Sequence, residues 1–205
     1  MRFDSFEDRV GGVLLNRRSL LVGGMSVALA GCTAETMDSW SAYAPVSGEV
    51  APQFRRQRVR YETREKPGTI VIDTSSRYLY VVEDNGMATR YGVGVGRAGF
   101  AWSGRAKVGR KAQWPTWTPP PNMIKRQPEL RKYAGGMPGG PNNPLGARAL
   151  YLYRGGRDTL YRLHGTNQPG SIGQAMSSGC IRMLNSDVEH LYDRTPIGTP
   201  VVVQA

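Results

Sequence analysis

The chain is poor in the residues that build metal and disulfide scaffolds, with two cysteines and two histidines in 205 residues. That is too few for a finger-type zinc cluster or a fold stapled by bridges, and no metal site is expected. No apolar run reaches the roughly 20 residues that a membrane helix needs, which excludes a multi-pass membrane protein. Acidic residues are scarce as well, 16 Asp and Glu against 27 Lys and Arg, leaving a formal charge of +11. Glycine and proline, 26 and 14 residues, make up about a fifth of the chain, short of the level that marks disorder. What remains is one loop-rich, basic globular domain.

Residues 1–31 read as an address rather than as part of the fold. Arg17-Arg18, an aliphatic stretch and the closing Leu29-Ala30-Gly31-Cys32 have the layout of a signal peptide of the twin-arginine type, although Asp4, Glu7 and Asp8 dilute its charge. Leu-Ala-Gly-Cys resembles the lipobox of bacterial lipoproteins, which makes Cys32 the expected lipidation site; an ordinary cleaved signal is the alternative. Either way the mature protein is expected in the periplasm or cell envelope, touching a membrane only through a lipid anchor. Without the leader 23 basic residues face 13 acidic ones, so the charge belongs to the mature chain. Exported basic proteins meet anionic polymers or surfaces, and nucleic acid is not an expected partner. Residues 32–66, with the basic run Phe54-Arg55-Arg56-Gln57-Arg58-Val59-Arg60, read as a tether, and 67–205 as the folded domain.

From Gly68 onward the pattern is mainly β. Strands are expected at Thr69–Asp73, at Tyr78–Val82, and, after the hairpin signal Asp84-Asn85-Gly86, from Ala88 to Val95. A further pair spans 148–154 and 159–164, and Pro200–Val203 forms a last strand. Ser186-Asp187-Val188-Glu189 reads as a capping box opening a helix whose inner face carries Val188, Leu191, Tyr192 and Thr195, leaving His190 on the solvated face. A second short helix is expected from Ser171 over Ile172–Met176. Residues 110–147, rich in Pro, Gly and Trp, are either a cover over a sheet edge or a substrate lid. Gly94-Val95-Gly96-Arg97-Ala98-Gly99 matches a dinucleotide fingerprint, but no helix signal follows and no acid occurs in 85–128, so no nucleotide cofactor is expected.

The chemistry concentrates in two segments, Leu163-His164-Gly165-Thr166-Asn167 and Ser177-Ser178-Gly179-Cys180-Ile181-Arg182-Met183, whose His164 and Cys180 are sixteen residues apart. An unpaired thiol in an exported protein becomes a useful nucleophile when an imidazole takes its proton and holds the thiolate, and His164 is the candidate once His190 is set aside. Gly179 lets a substrate carbonyl approach the backbone, so the N–H groups of Gly179 and Cys180 offer an oxyanion hole. If this stretch is extended, Ser178, Cys180 and Arg182 share one face, while Ile181 and Met183 point to the core. A guanidinium beside the thiol suits a substrate that carries a carboxylate near the reacting carbonyl.

These residues resemble the signature of the L,D-transpeptidase (YkuD-type) catalytic domain. The likeness extends through Gly68–Val71, Trp114–Pro120, Asn143–Arg148 and the Gly198-Thr199 turn, about residues 67–203. It implies a β-sandwich-like domain that needs no cofactor. In it Cys180 would attack the carbonyl between meso-diaminopimelate and D-Ala of a peptidoglycan tetrapeptide stem, and an amine acceptor (a second stem, a D-amino acid or a protein amine) would resolve the thioester. By the same resemblance His164 is the general base, the Gly165 carbonyl orients its ring, and Arg182, Ser178, Thr166 and Asn167 contact substrate. The family commonly has His where this chain has Ser178, which leaves the site one histidine fewer. An L,D-carboxypeptidase and a non-catalytic wall-binding lipoprotein are the competing readings.

Overall fold

The structure is a computed structural model that describes residues 49–97, 102–177 and 179–204. The leader, Cys32 and Ser178 lie outside the described residues. Eleven strands are seen: β1 (Gln57–Arg60), β2 (Ile70–Asp73), β3 (Tyr78–Val82), β4 (Met87–Gly92), β5 (Val95–Gly96), β6 (Gly104–Gln113), β7 (Arg148–Arg154), β8 (Arg157–His164), β9 (Ala175–Ser177), β10 (Ile181–Arg182) and β11 (Pro200–Gln204). Among the described residues two short α-helices, α1 (Pro121–Arg126) and α2 (Asn185–Arg194), accompany these strands in a mainly β architecture. Nine strands form one sheet in the order β1-β4-β3-β2-β11-β6-β7-β8-β10, and β5 pairs with β9 separately.

The expected strands follow from apolar pattern and turn chemistry. In the β3–β4 hairpin Asn85 and Gly86 both have positive φ, 57° and 68°, which is why that dipeptide signals the turn. Strands β2 and β11 pair in parallel at the centre of the sheet, and Ile70, Val71, Ile72 and Val201 are fully buried. A run of consecutive apolar residues is what a strand covered on both faces requires.

Four expectations are corrected. The basic run read as tether contains β1, which pairs antiparallel with β4 and joins the sheet before Gly68. Residues 171–176 are not a helix: a 3-10 turn at Pro169–Ser171 leads into β9, because the parallel pairing with β5 takes the backbone bonds that a helix would use. The capping box does not form. Helix α2 begins at Asn185 with no side-chain cap bond, Ser186 is exposed, and Asp187 is buried and paired with Arg56 at 3.3 Å. His190 is half-exposed rather than fully solvated: its Nδ1 lies 2.8 Å from the Tyr91 hydroxyl, whose own ionisation burial pushes up to about 12. The remaining surprise is β6, ten residues with four Lys or Arg: Arg105, Lys107 and Arg110 are exposed, Lys111 donates to the Tyr192 and Thr195 carbonyls, and Val108 alone is fully buried. Its apolar period is too sparse to read as a strand.

A smaller core cluster of Val71, Val82 and Val202 packs separately; the larger one lies on one side of the sheet, where Leu150, Leu152, Leu163, Ile181 and Met183 meet Val188 and Leu191 of α2. This layer fixes β8, β10 and the start of α2 relative to one another, and those elements carry the site.

Candidate active site

His164 is the last residue of β8, and β10 pairs with β8 in parallel so that Arg182 stands in register with His164 and Ile181 with Leu163. Burial of Ile181 and Met183, as the alternation requires, seats the segment with Cys180 just before the strand. Thus two segments distant in sequence are joined by one short parallel pairing, and the Met183 N–H to His164 carbonyl bond of 2.8 Å extends it. His164, Cys180 and Arg182 then line one cavity of about 320 Å³.

The 110–147 segment supplies the opposite wall. Trp117 and Met137 exchange backbone hydrogen bonds of 2.9 and 2.7 Å, and Trp117, Pro120, Met123, Arg126 and Leu145 face the cavity. Asn143, fully buried, ties the segment together: its Nδ2 donates to the Pro115, Met137 and Pro138 carbonyls at 3.0 to 3.1 Å, and its Oδ1 accepts from the Leu145 N–H. Of the two expectations for this segment, the structure favours the one that gives it a wall of the pocket.

The imidazole is poised by backbone alone. His164 Nδ1 lies 2.6 Å from the Gly165 carbonyl, and since a carbonyl only accepts, the proton sits on Nδ1 and Nε2 keeps its lone pair. Burial, with the Arg182 charge in second place, holds the His164 pKa down to about 3, so the ring is neutral. The thiol departs from expectation. Burial raises the Cys180 pKa, outweighing the Arg162 N–H and the Arg162 and Arg182 guanidiniums, all of which lower it. Its S–H points to the Leu160 carbonyl at 3.9 Å. Desolvation disfavours the charged form of each group, which works against the thiolate that His164 was expected to hold.

Other expected site residues divide. Arg182 donates from Nη1 to Gln168 Oε1 at 3.1 Å, and its backbone exchanges two bonds with Gly94. Gly179 has φ +115° and its N–H donates to Ser177 Oγ at 3.2 Å, while the Ser177 hydroxyl donates to the Cys180 carbonyl at 2.5 Å. A substrate oxygen reaching the Gly179 N–H therefore has to replace a serine hydroxyl. Thr166 is buried with Oγ1 accepting the Gln168 N–H at 3.0 Å, and Asn167 Nδ2 donates to the Asn142 carbonyl. Neither is among the described residues that line the cavity, and both side chains bond loop backbone.

Sequence reading missed Asn185. Its Oδ1 accepts from the Ala147 N–H at 3.0 Å and the Thr166 N–H at 3.2 Å, and a side chain on either Gly146 or Gly165 would collide with it. A helix-start Asn is common, and nothing in the local pattern distinguishes one that reaches across to another loop. Leu160 was missed as well, a leucine with φ +64° on the cavity wall. Among the described residues no group of three or more His, Cys, Asp or Glu is placed to hold a metal ion.

The sequence pattern of the L,D-transpeptidase catalytic domain, YkuD, matches residues 67–203. Among curated proteins, the probable L,D-transpeptidase ErfK/SrfK of Escherichia coli is 36% identical over 67% of this chain, which spans 44% of that protein. The putative L,D-transpeptidase in the ATP synthase subunits region of Fuscovulum blasticum is 32% identical over 92% of this chain and 97% of its own length. Among solved structures, a Brucella melitensis protein named a probable carnitine operon oxidoreductase is 50% identical, with a TM-score of 0.53 over 76% of this chain and 96% of that one. Fold, site residues and relatives agree: the chain belongs to the L,D-transpeptidase family, through a YkuD-type catalytic domain.

Proposed function

We propose that the protein is a cysteine-dependent acyltransferase acting on peptidoglycan stem peptides. The observation that carries this reading is that Cys180, His164 and Arg182 line one cavity, with Arg97 and Arg126 also on its wall and no carboxylate among the described lining residues. A pocket of that sign favours an anionic donor such as a stem whose diaminopimelate keeps a free carboxylate. Cys180 attacks the carbonyl of the diaminopimelate–D-Ala bond, and its proton passes to the bare Nε2 of His164, whose tautomer the Gly165 carbonyl maintains. The tetrahedral oxygen takes the Cys180 N–H and, displacing Ser177 Oγ, the Gly179 N–H. D-Ala leaves with the proton, and an amine then attacks the thioester.

The wall built by residues 114–145 supports transfer to an amine over hydrolysis, since it shields the acyl-enzyme from bulk water. The redox activity in the name of the Brucella relative finds less support, because a dinucleotide fingerprint opens a helix whereas this chain runs as strand β6 from Gly104. Export by residues 1–31 and lipidation at Cys32 belong to the same proposal, as does a location in the periplasm or envelope. The test is to give the mature protein disaccharide-tetrapeptides and an amine acceptor. Release of D-Ala, a thioester mass on Cys180 and a cross-linked or amine-exchanged product are expected. Tripeptide alone would make it a carboxypeptidase, and binding with no release a wall-binding protein.

A further inference from the structure

Strand β8 is irregular next to the thiol. In its pairing with β7, Tyr151 faces Arg162 and Tyr153 faces Asp158, so residues 159–161 stand opposite Leu152 alone. Bulges of this kind re-aim groups beside active sites. At the bulge Leu160 has φ +64°, a left-handed backbone uncommon for a leucine, and its side chain is 76% exposed on the cavity wall. Such a conformation persists only where its surroundings impose it. Here they do: the Leu160 N–H donates to Asp158 Oδ1 at 2.8 Å, and Arg162 clamps both oxygens of that carboxylate at 2.7 and 2.8 Å. Arg162 is itself held 4.4 Å over the Tyr151 ring. Because β10 pairs with β8 only at Leu163 and His164, the edge at residues 160–162 is left to Cys180, and the kink turns the Leu160 carbonyl to within 3.9 Å of Sγ.

We propose that the Asp158–Leu160–Arg162 kink is a resting place for the nucleophile, in which the Leu160 carbonyl takes the Cys180 S–H and holds a protonated reserve until an acyl donor occupies the cavity. Leu160 is then a positioning residue, acting on sulfur through its backbone, while its exposed side chain is the surface that a bound donor covers. On donor binding the S–H leaves the Leu160 carbonyl, its proton goes to His164 Nε2, and the sulfur lone pair forms the S–C bond; the departing amine takes the proton back. The charged and titratable groups around the thiol are Asp158 and Arg162 of β8, Arg182 of β10 and His164. Burial raises the thiol pKa, in agreement with this role. The inference rests on Cys180 being the nucleophile, but its readout needs no peptidoglycan.

The test is the pH profile of Cys180 alkylation by iodoacetamide, which reports thiolate content. Leu160→Val introduces a β-branched residue that cannot hold the positive φ, so the carbonyl swings away without any change of charge. The alkylation rate at pH 7 should rise on the order of tenfold, one unit on the profile. Leu160→Gly accepts the same φ freely and should keep the wild-type profile. Asp158→Glu, which keeps the charge but misplaces the clamp, should move the profile as Leu160→Val does, and it decides the matter if Leu160→Val fails to fold; Asp158→Asn would not serve, because that carboxylate by itself raises the thiol pKa. Wild-type profiles for folded Leu160→Val and Asp158→Glu would overturn the proposal, as would equal shifts in the Val and Gly variants. Failure of D-Ala release with these shifts intact would instead count against the acyltransferase reading.

Discussion

Asn185→Ala isolates the contact that aligns the two loops of the site. Its Oδ1 is the acceptor for the N–H groups of Ala147 and Thr166, both on residues less than 4% exposed. Truncation leaves two buried donors in a space closed by the Gly146 and Gly165 backbone, where those glycines admit no larger residue. An orphaned buried donor costs about 1–3 kcal/mol, and some relaxation toward solvent is open to a helix-start residue, so about 2–4 kcal/mol in total is expected. For a domain of this size that lowers Tm by roughly 5–15 °C. Gly165 also carries the carbonyl that sets the His164 tautomer, so kcat should fall more than KM rises. Asn185→Asp keeps the acceptor and places a carboxylate in the first turn of α2, where the helix dipole favours it, so it should retain most of the stability. Scanning calorimetry of the three proteins, with turnover on a tetrapeptide donor, checks this. A loss below about 2 °C in Asn185→Ala, or equal losses in the Ala and Asp variants, would refute the reasoning.

Four further outcomes are expected. His164 is held neutral to about pH 3 by burial, whereas the unfolded chain protonates it near its ordinary value of 6.5; between those limits the unfolded state binds the extra proton, so stability falls as pH drops, and His164→Gln should flatten that part of a Tm-against-pH curve. Cys180→Ala should abolish D-Ala release and leave Tm nearly unchanged, because the thiol's polar contacts are the weak ones of sulfur, to the Leu160 carbonyl at 3.9 Å and the Arg162 N–H; residual release would remove Cys180 from the mechanism. Arg182→Lys keeps charge but loses the fork, costing about 2 kcal/mol in kcat/KM with a small change in Tm, whereas a large Tm loss with normal kinetics would assign Arg182 to the fold. Tyr91→Phe removes the bond to His190 and should cost about 1 kcal/mol in urea unfolding, without effect on turnover.

Residue type and local period sufficed wherever the physics is local. The strands at 70–73, 78–82, 148–154 and 200–204, the Asn85-Gly86 turn, and the burial of Ile181 and Met183 beside Cys180 follow from alternation and turn chemistry, which depend on near neighbours in the chain. The pairing of a thiol segment with a histidine segment was likewise legible, because few other nucleophile and base candidates exist in this sequence. Strand β6 was hidden by its outward charges, and β1 by its basic composition; their place came from partners more than 25 residues away, β4 for one, β7 and β11 for the other. Tertiary contacts also sent the Asn185 and Asp187 side chains to other loops instead of to a capping box. The directions in which the Cys180 and His164 pKa values shift come from structure alone: desolvation depends on what covers the two groups, and the bulge that offers the thiol a carbonyl arises from strand register, which no single-residue propensity encodes.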